Sequence, residues 1–178
     1  MPGDAGAGTI APMTSQYKTV DGALVGIVMG STSDWPTMKA ASEMLKQLGI
    51  KHESNVISAH RAPERLLDYC RSVESRGLKI LIAAAGGAAH LAGVVAANTH
   101  LPVLGCPMKA WSLEGLDSLL SMAQMPKGVP VATFAIGEAG AVNAALFAAA
   151  VLSLSDEEIR RKLLAFRTKQ AEKVDSVG

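Results

Sequence analysis

The chain has 178 residues, 49% of them hydrophobic and 19% charged, which is enough for one proper core and too little for two domains. A formal net charge of +1, no basic run and 4% aromatic residues exclude an extended nucleic-acid footprint, so any anionic ligand is expected to be small. Cys70 and Cys106 are far apart with no CxxC, pointing to a reducing cytoplasm rather than a disulfide framework or zinc site, and the longest apolar stretch, residues 144–152, falls well short of the ~18 residues of a membrane span.

Residues 1–23, rich in Gly, Ala, Thr and Pro, have neither helical nor strand period and lack the basic start and apolar centre of a secretory signal. They read as a disordered arm. Residues 24–29 are apolar on both faces, as in a strand buried on both sides, and end at Gly30-Ser31-Thr32-Ser33-Asp34. A helix follows, with Pro36 in its first turn, Met38, Ala41, Leu45 and Leu48 near helical spacing, and Gly49 as its stop. The pattern repeats: a strand over 52–57, a loop over 58–62 containing Ser58, His60 and Arg61, and a helix from Pro63 to Gly77 whose inner face is Leu66, Cys70 and Val73.

A third strand, 79–85, runs into Gly86-Gly87-Ala88-Ala89-His90 and an Ala-rich helix to about Asn98. A fourth, 102–106, precedes a helix near 113–123, and a fifth, 129–136, precedes a long Ala-rich helix over 139–152. Five β/α units imply a parallel sheet with right-handed crossovers, and the expected architecture is α/β, a three-layer flavodoxin-like doubly wound five-stranded sheet in the order 2-1-3-4-5. Ser155-Asp156-Glu157-Glu158 reads as a capping box, and Glu157 with Arg161 and Glu158 with Lys162 read as supporting pairs of an extra C-terminal helix. Residues 24–154 would form the α/β domain and 155–178 a helix and tail. The stripe Ile159, Leu163, Phe166 has no sheet face left to cover and is expected on a neighbouring subunit of a homo-oligomer, the alternative being its own domain.

In a parallel sheet, loops past the carboxyl ends of strands converge on one crevice, where helix N-termini present free N–H groups to an anion. The segment 30–34 serves equally as a turn and helix cap, yet three consecutive hydroxyls exceed what capping needs, so Ser31 and Asp34 are assigned to a ligand. A carboxylate accepts hydrogen bonds and repels phosphate, so Asp34 suits ribose hydroxyls. Arg61 can grip a phosphate through two parallel bonds, and His60 can move a proton near neutral pH. Gly86-Gly87-Ala88 is not GxGxxG and does not support a dinucleotide site; paired glycines allow close backbone approach and the alanines make a small apolar wall. His90 is read as a core residue. His52 and His100 have no supporting context, and four scattered histidines lack metal-ligand spacing, so no metal is expected. Residues 124–131 read as a loop.

Taken together, GSTSDW, SAHRAPERL, AGGAAHLAG, DSLLSMAQMPKGVPVAT and AVNAALFAA closely resemble the N5-carboxyaminoimidazole ribonucleotide mutase family of de novo purine synthesis, over about residues 25–166. The resemblance implies a cytoplasmic, octameric isomerase that needs no cofactor and acts on a small nucleotide, with no nucleic-acid or membrane partner. It implies phosphate contacts at Ser31, Ser58 and Arg61, a ribose contact at Asp34, proton transfer by His60, and carbon dioxide confined by the wall from Gly86 through Gly87 and Ala88. Two other readings stay open: direct carboxylation of aminoimidazole ribonucleotide, and a noncatalytic phosphonucleotide-binding module that would not need His60.

Overall fold

The computed structural model describes residues 17–174. Five parallel strands, β1 (Val25–Met29), β2 (His52–Val56), β3 (Ile80–Gly86), β4 (Val103–Met108) and β5 (Ala132–Thr133), form one sheet in the order β2-β1-β3-β4-β5. The apolar runs of β1, β3 and β4 put them at the centre, where both faces are covered. Helices α1 (Trp35–Gln47), α5 (Glu138–Leu152) and α6 (Glu157–Val174) cover one face around Ile27, Ile82 and Leu104, while α2 (Pro63–Val73), α3 (Leu91–Ala96) and α4 (Leu116–Ala123) cover the other around Val28, Leu81 and Val103. The expected doubly wound α/β architecture and strand order are both present. No helix among the described residues is long and apolar enough to cross a membrane.

Four sequence expectations need correction. The fifth strand is two residues long, not eight, because it is an edge strand paired only through Leu104↔Ala132 and Gly105↔Thr133, and Pro130 just before it has no N–H to give to a ladder.

The arm is ordered where it is described. Tyr17 donates its hydroxyl to Ser72 Oγ at 3.1 Å and packs edge-on against Tyr69, the Lys18 backbone exchanges two bonds with the Asn55 side chain at 2.7 and 2.9 Å, and the Val20 N–H donates to Glu53. Composition suggested disorder because the partners are polar side chains on β2 and α2, invisible to a local window. Residues 1–16 lie outside the described residues.

The α6 stripe folds back onto its own domain: Ile159 and Leu163 are buried in the α1/α5 core, and Phe166 packs against it. It finds room because α5 covers that face with alanines. The N-cap of α6 is Asp156, whose Oδ1 accepts from the N–H groups of Glu158 and Ile159, rather than a Ser155–Glu158 box. Glu158 pairs with Lys162 at 2.6 Å as expected, but Glu157 reaches Arg160 at 4.0 Å.

The buried face of α5 is almost wholly small, comprising Gly140, Ala141, Ala144, Ala145, Ala148, Ala149 and Leu152, which lets it lie close against the sheet and α1. At Gly140 a Cβ would stand 2.7 Å from the carbonyl carbon of Ala135, so only glycine fits there. On the opposite face, Gly26 makes room for the hydroxyl of Tyr69, and a Cβ there would also press on Leu81 and Leu78 at 2.7 and 2.9 Å.

Candidate active site

The carboxyl ends of β1, β2, β3 and β4 open into a cavity of about 400 Å³. A larger cleft of about 1030 Å³ lies near His100, Val129 and Phe147, but it has no converging strand-end loops. The smaller cavity sits where the topology of a doubly wound sheet places ligands.

After β1, the segment beginning at Gly30 turns through a short 3-10 helix, Thr32–Asp34, before α1. Ser31 Oγ accepts from the Ser33 N–H at 3.2 Å and from the Ser33 hydroxyl at 2.9 Å, while Asp34 Oδ2 accepts from the Ser31 N–H at 3.1 Å. The capping reading of this segment is therefore real geometry, and the same residues line the cavity. Burial pushes the Asp34 carboxyl above its ordinary value, partly offset by the N–H groups of Ser31 and Gly30. A carboxyl raised in the fold opposes folding as it ionises, so its stability contribution is full below 3.8 and is lost as pH rises through the folded value. Asp34→Asn keeps an acceptor for the Ser31 N–H without the charge. It is expected to melt above the parent protein at neutral pH, with the gap closing below pH 3.8, as read by thermal denaturation across pH. A variant that melts lower at every pH would contradict this.

After β2, Arg61 ties two loops together. Its Nε and backbone N–H donate to Ser58 Oγ, both at 3.3 Å, and its Nη2 donates to the Gly30 carbonyl at 3.2 Å. The start of α2 beyond it has no side-chain cap, and Pro63 fills the first position where an N–H is dispensable. His60 stands beside it, exposed, with Nε2 2.9 Å from His90 Nδ1 and the two rings edge-to-face at 5.0 Å.

His90 is thus not a core residue but a cavity-lining one at the head of α3. The signal was available: it follows β3 as His60 follows β2, and the same placement argument applies. In the bond between the rings one nitrogen donates and the other accepts, which orients the two imidazoles on each other.

After β4, Trp111 borders the same cavity with φ +50°, a left-handed conformation costing an L residue roughly 1–2 kcal/mol. Its indole rests on Gly87, where a Cβ would stand 2.8 and 2.9 Å from two ring carbons, so only glycine admits it. Lys109 and Glu114 form an ion pair across the turn, Glu114 and Gly115 are also left-handed, and the Ser118 hydroxyl donates to the Met108 carbonyl at 2.9 Å. Sequence reasoning missed Trp111 by treating this segment only as a connection.

Of the eight residues singled out from the sequence, Ser31, Asp34, Ser58, His60, Arg61, Gly86 and Ala88 line the cavity. Gly87 does not; it is buried beneath Trp111. The arrangement can bind an anion at Arg61 and the Ser31 and Ser58 hydroxyls, offer a carboxylate to hydroxyl groups, and move a proton at His60.

The model of the family described as AIR carboxylase matches residues 24–173, which contain all five strands and the whole cavity. The chain belongs to the AIR carboxylase family. Relatives within it include the N5-carboxyaminoimidazole ribonucleotide mutase of Vibrio parahaemolyticus, 58% identical over 150 residues, covering 84% of this chain and 93% of that protein. The protein of the same name from Bacillus subtilis is 57% identical over 140 residues, covering 79% and 86%. Among solved structures, Treponema denticola PurE superposes with a TM-score of 0.78 at 31% identity, covering 85% of this chain and 94% of that one. The family match spans the same segment that the doubly wound sheet occupies.

Proposed function

We propose that this chain is an N5-carboxyaminoimidazole ribonucleotide mutase of purine biosynthesis, on the route to inosine monophosphate. The observation that carries the reading is an imidazole and a guanidinium side by side in the cavity at the sheet's carboxyl end, in a chain 58% identical to a mutase over 150 residues.

Arg61 and the hydroxyls of Ser31 and Ser58 would hold the phosphate, Asp34 the ribose, and Gly86 with Ala88 the apolar niche. His60 in its protonated form gives its proton to the exocyclic nitrogen as the carbamate C–N bond breaks. The electron pair of that bond stays on nitrogen, and neutral carbon dioxide is released. C4 of the aminoimidazole then attacks the gas, forming the C–C bond, and neutral His60 removes the C4 proton to restore aromaticity. One group serves as acid and then base, and no atom is gained or lost. Carbon dioxide is small and apolar, so confinement rather than hydrogen bonding keeps it near C4, where an effective concentration of ~10⁵ M or more can be reached.

A cytoplasmic homo-oligomer, an octamer, completes the proposal. Leu116 and Leu120 expose one face of α4, and Phe147 and Leu154 are also exposed, giving apolar surface for neighbours.

Assay of the purified protein with the carbamate nucleotide, against the amine nucleotide plus bicarbonate, tests the activity; sedimentation equilibrium tests the assembly. Conversion of the carbamate without added bicarbonate is expected. Turnover confined to the amine with bicarbonate would make the chain a direct carboxylase, and a monomer by sedimentation would remove the octamer.

A further inference from the structure

Among the described residues, Trp111 is the one large exposed apolar side chain lining the cavity, and the mutase reading gives it no task. It is 80% exposed, and its indole rests against Gly87. The backbone takes a left-handed turn to present it, the exposed Lys109–Glu114 ion pair spans the turn, and the indole lies on a buried glycine whose own φ is +64°. Strained backbone at a cleft is retained where the surrounding structure sets it for a purpose. An exposed indole parked on a bare backbone presents a flat, rigid face with little entropy left to lose. That face borders the cavity shared by His60, His90 and Arg61.

We propose that Trp111 is a specificity residue of this site: the substrate's heteroaromatic base stacks on its indole, and the same ring roofs the niche beside Gly86 and Ala88. For the nature of the base and the gas, this rests on the mutase reading; the platform itself rests on the geometry of residues 109–115. It gives the nucleotide two anchors, the phosphate at Arg61 and the base at Trp111, with His60 on the same loop as Arg61 and lining the same cavity. It also explains why Gly87 is required although it does not line the cavity: it is the seat of the indole.

The chain has two tryptophans, Trp35 and Trp111, so Trp35→Phe leaves Trp111 as sole emitter. Titrating that full-length variant with 4-carboxy-5-aminoimidazole ribonucleotide is expected to quench the emission, whereas ribose 5-phosphate, which has no base, should leave it unchanged. In turnover of the carbamate under ¹³C-bicarbonate, the parent protein should keep the substrate's own carbon. Trp111→Ala should raise KM roughly tenfold or more, as loss of one stacking partner does, and admit label into the product; Trp111→Phe should restore most of both.

Equal quenching by both ligands, or none by either, together with unchanged KM and label exclusion in Trp111→Ala, overturns the proposal. Base-dependent quenching in a protein that cannot convert the carbamate upholds the platform and removes only the mutase reading. Turnover without base-dependent quenching does the reverse.

Discussion

His60→Asn is expected to lose turnover by about 10²–10⁴-fold while keeping its fold and its nucleotide affinity. The fold should survive because His60 is exposed and its side chain bonds to His90, a contact an asparagine amide could in part replace. Affinity should survive because Arg61 is held by Ser58 and the Gly30 carbonyl, not by His60. What disappears is one of the two imidazoles that, among the described residues, line the cavity, and with it a side chain able to give a proton to a leaving nitrogen and then take one from carbon. Steady-state kinetics with the carbamate, isothermal titration with the carboxylated product and a thermal melt decide the matter together. Residual activity within tenfold of the parent would move the proton step to another group.

Arg76→Met is expected to cost about 3–5 kcal/mol of stability, a large share of the roughly 5–15 kcal/mol a domain has. The Glu53 side chain is completely buried, and Arg76 binds it through both oxygens, at 2.7 and 2.9 Å. Without Arg76 an ionised carboxylate would remain in the interior with, among the described residues, the Val20 N–H as its one hydrogen-bond donor. Arg76 also lies over the rings of Tyr17 and Tyr69, 5.6 and 5.3 Å from their centroids, so the substitution loosens the N-terminal segment as well. Burial and the neighbouring Glu53 carboxylate hold the Tyr69 phenol far above its ordinary range, so it adds no charge of its own. Urea unfolding measures the loss. The double variant Glu53→Leu, Arg76→Met should recover most of it, since removing both partners leaves no orphaned charge. A single-variant loss under about 1 kcal/mol would mean that water reaches Glu53 and the pair is in effect a surface one.

The fold was legible where burial is symmetric. β1, β3 and β4 are apolar on both faces, which marks central parallel strands, and glycines closed the turns at Gly49 and Gly77, both with positive φ. β5 was overextended because an edge strand and a loop share the composition of residues 129–136, and only pairing distinguishes them. His60 and Arg61 were legible because they occupy a strand-to-helix loop. His90 occupies an equivalent loop and was assigned to the core on the habit of its residue type rather than on its place. Polar β2, with Glu53 and Asn55 buried, could not be explained from its own sequence, because the partners of those side chains come from Lys18, Val20 and Arg76.

The alanine face of α5 has a mechanical consequence. Methyl groups have no rotamers to exchange, so the α5 side of the contact with α1 is ordered at almost no cost in side-chain entropy, and it is α1 side chains such as Met38 and Leu45 that have rotamers to lose. Because the Ser31–Asp34 turn leads directly into α1, it is mounted on a helix closely packed against α5, and heating should blur the loops after β2 and β4 before it displaces this one.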